Sequence, residues 1–477
     1  MKINKIPQIK IYNSLTKKKE DFIPASGKNV KMYTCGVTVY DDCHIGHARS
    51  LYIFEVIRRY LQYRGFKVSF IRNITDIDDK IIKRANELKV SWKELVDKYI
   101  NDYYQDLSLL NIPKADKEPR ATANITAMIR YIKKLIDKGY AYETKDGIYF
   151  RVRRFKSYGK LSNQSIDQML EGVRVEVDEH KEDPLDFALW KKSKENEPFW
   201  NSPWGRGRPG WHIECSVMSQ KYLKAVTLDI HGGGRDLIFP HHENECAQSE
   251  ALSGKPFANY WIHHGLLTIN SQKMAKSLGN FITIKDFVKK YKDPDYLKLF
   301  FLSAHYSHPV DFNEEKIEEF KKQKKSFYDT FEKFFLSKDY QKGPKIIPED
   351  KDKVDVICAK FNEAMDDDFN MPGALASLFD LIDLGSVFAS LGKKEALKYV
   401  VSKLEEFFKI FGLKIPKGKK IPKELIKLAD KRHEARQKKD FKAADAIRKE
   451  MEEKFPYYAT DSATSTIFIS KKLPEED

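Results

Sequence analysis

Residues 29–35, NVKMYTC, read as a buried strand that runs into a glycine-containing loop. The stretch GHARSLYIFEVIRRYLQYRG that follows repeats apolar residues at helical spacing and stops at Gly65. FKVSFIRNI is then the next strand. Two strands joined by a crossover helix of this length make a βαβ unit, which requires a parallel sheet. No other feature restricts the fold as much.

TDIDDKIIKRANEL opens with a Thr/Asp cap and continues as helix. Helices are predicted over 91–110 and 122–138, and YAYETKDGIYFRV as a hairpin turning on Asp146-Gly147. Residues 153–209, rich in Gly, Pro and charge, read as a largely irregular insertion. A second set of α/β elements begins near GWHIECSVMSQKYL, and AVTLDIHGGG is a strand entering a glycine loop. The expected class is therefore α/β, a Rossmann-type parallel sheet split by an inserted connective domain. From about residue 320 long charged helices take over, with KDYQKGPKIIPEDKDK and KIPKGKKIPK as linkers.

At 477 residues there is room for roughly three domains. No uninterrupted apolar run approaches the ~18–20 residues of a membrane span, and the first residues carry no signal-type apolar segment. Both point to the cytoplasm and away from membranes. Cysteines 35, 43, 215, 246 and 358 are too sparse for a disulfide framework and read as reduced thiols or metal ligands. The formal net charge is +15, and residues 414–449 concentrate it: 14 Lys/Arg against 5 Asp/Glu, a net +9. That density suits a phosphate-rich partner such as nucleic acid.

Three motifs carry chemistry. CHIGHARS, 43–50, sets His44 and His47 three apart around Gly46 where a loop becomes a helix. Helix N-termini attract phosphate, two imidazoles there can donate to one anion, and Gly46 lets a planar base approach the backbone. Helix-capping histidines are the plainer reading. NSQKMAKSLGN, 270–280, carries Lys273 and Lys276 on a polar loop that can close over a triphosphate. FPHHENECAQSE, 239–250, offers two ligand pairs at helical spacing, His241 with Glu245 and His242 with Cys246. Spacing does not choose between them, and by ligand chemistry the second is the better zinc pair.

With HIGH followed some 230 residues later by K-x-x-K, the chain resembles the class I aminoacyl-tRNA synthetases, and within them the cysteinyl-tRNA synthetase family. The resemblance spans nearly the whole chain through MYTCGVTVYDDCHIGHARS, RNITDIDDKIIKRANE, RPGWHIECSVM, DIHGGGRDLIFPHHENECAQSEA, KMAKSLGNF, MDDDFNMPGAL and KDFKAADAIR. Ala275 departs from the family's usual serine, and the tail ATSTIFISKK from its Gly-Thr-Thr-Trp-like strand.

The resemblance implies ATP, L-cysteine and tRNA(Cys) as substrates, Mg²⁺ with ATP, one Zn²⁺ per chain and a monomer. It maps the zinc ligands onto Cys35, Cys215, His241 and Glu245, leaving Cys43, Cys246 and Cys358 structural. It assigns His44, Gly46, His47, Lys273 and Lys276 to ATP, and Gly36, Thr38, Thr75, Trp211 and Asp236 to the amino-acid pocket. The domains it implies are a catalytic half at 1–120, the insertion at 121–199, the second half at 200–260 and the lysine-loop region at 261–318. A helical bundle at 319–413 and an anticodon-binding domain at 414–477 complete them, with Phe441, Tyr457, Tyr458 and Phe468 available for base stacking. Zinc also answers a selectivity problem. An apolar pocket rejects an exchanged small group by only ~10²-fold where ~10⁴–10⁵ is wanted, and direct binding of thiolate can supply the missing ~3–4 kcal/mol.

Overall fold

The chain begins with an antiparallel hairpin, β1 (Lys10–Asn13) and β2 (Lys18–Asp21), ahead of β3 (Asn29–Thr34). Helix α1 (Ile45–Tyr63) crosses to β4 (Lys67–Arg72), which pairs parallel with β3 in the register Asn29↔Lys67 to Thr34↔Arg72. The expected βαβ unit is present. Helix α2 (Asp79–Leu88) is capped by Asp78, and α3 (Trp92–Leu109) by the reciprocal pair Ser91 and Glu94. Helix α4 (Ile125–Asp137) leads to the insertion, where β5 (Ala141–Glu143) and β6 (Gly147–Phe150) form the expected hairpin.

Residues 153–209 are more regular than their composition suggested. After α5 (Ile166–Gly172) come β7 (Phe187–Lys192), β8 (Trp200–Ser202) and β9 (Gly205–Pro209), completing an antiparallel sheet of order β5-β6-β7-β9-β8. These strands are short, and β9 reads GRGRP with no apolar alternation, so only pairing with β7 and β8 makes it a strand.

Helix α6 (Trp211–Leu223) and β10 (Leu228–Gly234) return to the parallel sheet, followed by α7 (Glu243–Ser253) and β11 (Ala258–His264). The order is β11-β10-β3-β4, all parallel. Gly232 is glycine because a Cβ there would sit 2.2 Å from the Phe54 ring of α1, which packs directly on the strand. Chain order reverses between β3 and β10, and such a switch point opens a crevice at the carboxyl ends of the strands. Beyond lie β12 (Leu267–Ile269) and β13 (Gln272–Lys273), a hairpin paired on its other side with a strand from the 310 region, and α8 (Ile284–Tyr291).

The computed structural model describes residues 8–172, 180–275, 278–338, 345–415, 422–461 and 466–470. One unit runs to Phe287 and takes back Tyr306–Asp311; the other comprises Val288–His305 and the chain from Phe312 onward. Strand β14 (Val310–Phe312), whose Val310 and Asp311 belong to the first unit, pairs with β12, and the second unit opens with α9 (Asp295–Leu302). Then come α10 (Glu314–Lys338), α11 (Pro348–Asp366), α12 (Met371–Ser390) and α13 (Lys394–Phe411), a helical bundle. By length and mean hydropathy α12 could cross a membrane. It instead buries Leu375, Leu378, Leu381, Ile382 and Phe388, as the core helix of a bundle does, and Asp380 and Asp383 interrupt its apolar run. Helices α14 (Lys423–Gln437) and α15 (Phe441–Lys454) pack through Leu425, Leu428, Ala429 and Met451, ahead of a hairpin of β15 (Tyr457–Asp461) and β16 (Thr466–Ser470).

Candidate active site

The first turn of α1 is built by its own histidines. His44 Nδ1 accepts from the backbone N–H of Gly46 at 3.1 Å and of His47 at 3.2 Å, and the His47 ring accepts from His44 N at 3.3 Å. The two rings stack with centroids 3.7 Å apart. The capping reading is thus realised. An Nδ1 that accepts a hydrogen bond carries no proton, so each imidazole keeps its proton on Nε2 and each retains one N–H donor. Burial lowers the His44 pKa to about 4 against an upward pull from Asp41; burial, with His44 and Lys80, holds His47 well below the usual range. These are neutral donors.

The lysine loop returns to the same place. Ile45 N donates to Ile282 O at 3.0 Å, Ile284 N to Cys43 O at 2.9 Å, and the Phe281 ring meets His44 edge-on at 5.3 Å. A Cβ on Gly46 would contact the Met274 side chain at 3.4 Å. Lys273 is exposed at the end of β13, and Asn280 spans the loop, accepting from Ala275 N at 2.8 Å and donating to Lys273 O at 3.2 Å. Lys276 lies outside the described residues.

The metal candidates converge at the switch point. Cys35 follows β3, Cys215 lies in α6, and His241 and Glu245 flank the start of α7. The stretch 239–250 is not one continuous helix, because Phe239 is extended (φ −135, ψ 133) and regular helix begins at Glu243. Cys35 Sγ is 3.7 Å from Cys215 Sγ and 3.5 Å from Glu245 Oε1, and His241 Nε2 is 2.9 Å from Glu245 Oε1. Two sulfurs bound to one tetrahedral zinc at ~2.3 Å would lie about 3.8 Å apart, and a sulfur and a carboxylate oxygen about 3.5 Å. His241 Nε2 is buried and faces the Glu245 carboxylate. Donor types and the sulfur–sulfur and sulfur–oxygen spacings fit zinc.

The alternative pair is separated. Cys246 is buried against Trp261, Phe257 and Tyr33. His242 instead sends Nε2 to 3.2 Å from Cys35 Sγ, and with Cys35, His241 and Glu245 forms a cluster of ligand atoms within 4.8 Å. Its Nδ1 pairs with His263 Nε2 at 2.8 Å. Further partners fix the ligands: His231 Nε2 lies 2.8 Å from Glu245 Oε2, and His212 Nδ1 2.9 Å from His241 Nδ1. Burial resists charge throughout, yet specific partners overcome it. His231 and His241 bring Glu245 to about 2, the Cys35 thiol and His241 bring Cys215 to about 6, and Glu245 with Cys215 raises His241 to about 10. Cys35 goes up, through burial and the neighbouring Cys215.

The residues that the resemblance assigns to an amino-acid pocket lie in the same unit. Trp211 is 38% exposed and stacks on the His241 ring at 4.1 Å. Gly36 donates to Asn73 Oδ1 at 2.8 Å, and a Cβ there would fall 1.6 Å from the Asn73 carbonyl oxygen. Thr38 and Thr75 form a parallel bridge, and Thr75 Oγ1 donates to the buried Glu214 at 2.8 Å. Asp236 is exposed just beyond β10, its Oδ1 against Gly234. Sequence reading missed Asn73, Glu214, His212, His231 and His263, and offered His242 only as the partner of Cys246. Asn73 alone had a usable signal, its place immediately after a parallel strand.

In the other unit Phe441, the first residue of α15, is 58% exposed. The side chains of Tyr457, Tyr458 and Phe468 lie outside the description.

Comparison with known proteins identifies the family. The family model described as tRNA synthetases class I (C) catalytic domain matches residues 21–322, and that of the DALR domain residues 360–415. The cysteine–tRNA ligase of Persephonella marina is 49% identical over 468 residues, covering 93% of this chain and 96% of that protein. The Caldicellulosiruptor saccharolyticus cysteine–tRNA ligase is 48% identical over 447 residues with the same coverage. Among solved structures, Mycobacterium tuberculosis methionyl-tRNA synthetase in complex with methionyl-adenylate shares the fold at a TM-score of 0.60 and 14% identity, covering 80% of this chain and 89% of that one. The chain belongs to the cysteine–tRNA ligase family of class I aminoacyl-tRNA synthetases.

Proposed function

We propose that the chain activates L-cysteine with ATP, delivered with Mg²⁺, and transfers it to the 3′-terminal adenosine of tRNA(Cys), as a cytoplasmic monomer. The observation that carries this is the pair of sulfurs, Cys35 and Cys215, 3.7 Å apart beside His241 and Glu245, in the unit that also holds the stacked histidines of α1.

Cys35, Cys215, His241 and Glu245 would hold zinc, with His242 as a competing donor. When bound, zinc supplies affinity for a thiolate that a serine hydroxyl, harder and far less acidic, does not match. His231 and His212 keep Glu245 and His241 in orientation. Asp236 pairs with the substrate ammonium, Trp211 covers the site, and Gly36, Thr38 and Thr75 line it. The cysteine carboxylate attacks the α-phosphorus; a new P–O bond forms, the bond to the bridging oxygen breaks, and pyrophosphate leaves. No general base is needed, since the carboxylate is already ionised. His44 and His47 donate Nε2–H to phosphoryl oxygens, Gly46 leaves room for adenine, and Lys273 and Lys276 balance the pyrophosphate charge. The 2′-OH of the terminal ribose then attacks the adenylate carbonyl and AMP departs. Residues 414–477 serve anticodon binding, the +9 of residues 414–449 meeting phosphates and Phe441 offering a stacking face.

The test is metal analysis with cysteine- and serine-dependent pyrophosphate exchange. One zinc per chain, exchange with cysteine over serine by at least ~10⁴-fold, and loss of both in Cys215→Ala are expected. A metal-free protein that still separates the two amino acids would overturn the proposal.

A further inference from the structure

Lys273 is held by an unusually constrained piece of chain. Its hairpin pairs Thr268 with Lys273 and Ile269 with Gln272, so the turn is only Asn270-Ser271. Both turn residues are left-handed, at φ +48 and +62, although neither is glycine. Two-residue hairpins favour this turn, but Ser271 is poorly suited to it and is strained there. Asp311 meets that strain directly: its Oδ1 accepts from Ser271 N and from Thr268 Oγ1, each at 2.7 Å.

The segment bearing Asp311 is in turn fixed to the histidine helix. Arg49, two residues after His47, is fully buried, and its guanidinium donates to backbone carbonyls of Leu266 at 2.8 Å, Tyr306 at 3.2 Å and His308 at 2.5 Å. Gly265 packs so closely on His308 that a Cβ would lie 2.2 Å from its carbonyl. A buried guanidinium that bonds only carbonyls is expensive to keep, more than packing alone requires. These contacts form one continuous path within a single unit, from the helix of His44 and His47 through Arg49, residues 306–311 and the turn to Lys273.

We infer that Asp311 and Arg49 are positioning residues that set Lys273 in register with the α1 histidines for phosphate transfer. This rests on the proposed phosphate role of Lys273. Neither residue needs to touch substrate; each acts through the hairpin.

A double-mutant cycle on cysteine-dependent pyrophosphate exchange tests it. Asp311→Ala is expected to lower kcat by about tenfold, with the KM for cysteine and the zinc content unchanged, while Asp311→Asn, which keeps Oδ1 as acceptor, recovers most of the rate. In a Lys273→Ala background Asp311→Ala should change the rate by less than about twofold, because the group it positions is gone. Thr268→Val removes one donor to Asp311 with little change in volume, and provides the same comparison should Asp311→Ala fold poorly. Equal factors in both backgrounds would overturn the inference. If Lys273→Ala alone leaves exchange intact, the phosphate assignment falls, and the inference with it.

Discussion

His44 offers a clean separation of structure from catalysis, because one ring does two jobs through two different nitrogens. Nδ1 caps α1 by accepting from Gly46 N and His47 N, while Nε2–H remains for the phosphoryl oxygens. Asparagine places Oδ1 where the imidazole places Nδ1 and is itself a strong N-cap, but it has nothing at the Nε2 position. His44→Asn should therefore keep the helix start and lose the phosphate contact, whereas His44→Ala loses both. The cap is worth about 1 kcal/mol, a fall in Tm of no more than about 4 °C, confined to the alanine variant. The missing donor to developing charge should lower kcat for pyrophosphate exchange by ~10²–10³ in both variants. Because burial depresses the His44 pKa to about 4, the unfolded chain takes up its proton more readily than the folded one. The stability tied to this residue is therefore complete above ~6.5 and lost as pH falls toward 4, a dependence that His44→Asn should remove. Exchange near pH 7–8 should show no ionisation of this ring. A His44→Asn protein with wild-type exchange would refute the catalytic assignment and leave His44 as a cap alone.

Asp106 is fully buried and neither carboxylate oxygen has a hydrogen-bond partner among the described residues. Burial raises its pKa to about 7, against Lys285 and with help from Asp42 and Asp102. The folded protein therefore holds the proton more tightly, and stability drains as pH rises from ~4 to 7. Asp106→Asn should stabilise the protein at pH 8 by about 1–2 kcal/mol after screening, and hardly at all at pH 4, as thermal melts across that range would reveal. Gly36→Ala would drive a Cβ to 1.6 Å from the Asn73 carbonyl oxygen. A raised KM for cysteine, by at least ~tenfold, and a lower Tm are expected, since backbone rather than a flexible side chain must move; normal cysteine binding would place Gly36 outside the pocket wall.

What the sequence disclosed, and what it withheld, follows from the range of the interactions. The βαβ unit was readable because its period lies within twenty consecutive residues, from Ile45 to Tyr63, between strands that are apolar in their own right. β9 was not, because GRGRP becomes a strand only against β7 and β8. Helical spacing offered two ligand pairs and could not choose, since the choice depends on which face of α7 meets the sheet. In the fold Cys246 turns into the core beside Trp261, and His242 turns back to Cys35, which is 207 residues away. Glu214, His212 and His231 were silent for the same reason: each orients a partner that no local pattern connects to it.

The two ends of the proposed reaction set opposite electrostatic requirements, and the residues meet them separately. At the sulfur end, Cys215 and Glu245 are drawn toward ionisation in a buried site with His241 as their counter-charge, a place that a dication would take over. At the phosphate end, an imidazolium would attract ATP and departing pyrophosphate alike; the neutral Nε2–H groups of His44 and His47 add little net charge and act mainly where phosphoryl charge develops. The permanent charge there comes instead from Lys273, carried on a hairpin whose strained turn is secured by Asp311. In the proposed reaction, neutral donors fixed on a helix and permanent charge held on a separately braced hairpin would let each be altered by substitution without disturbing the other.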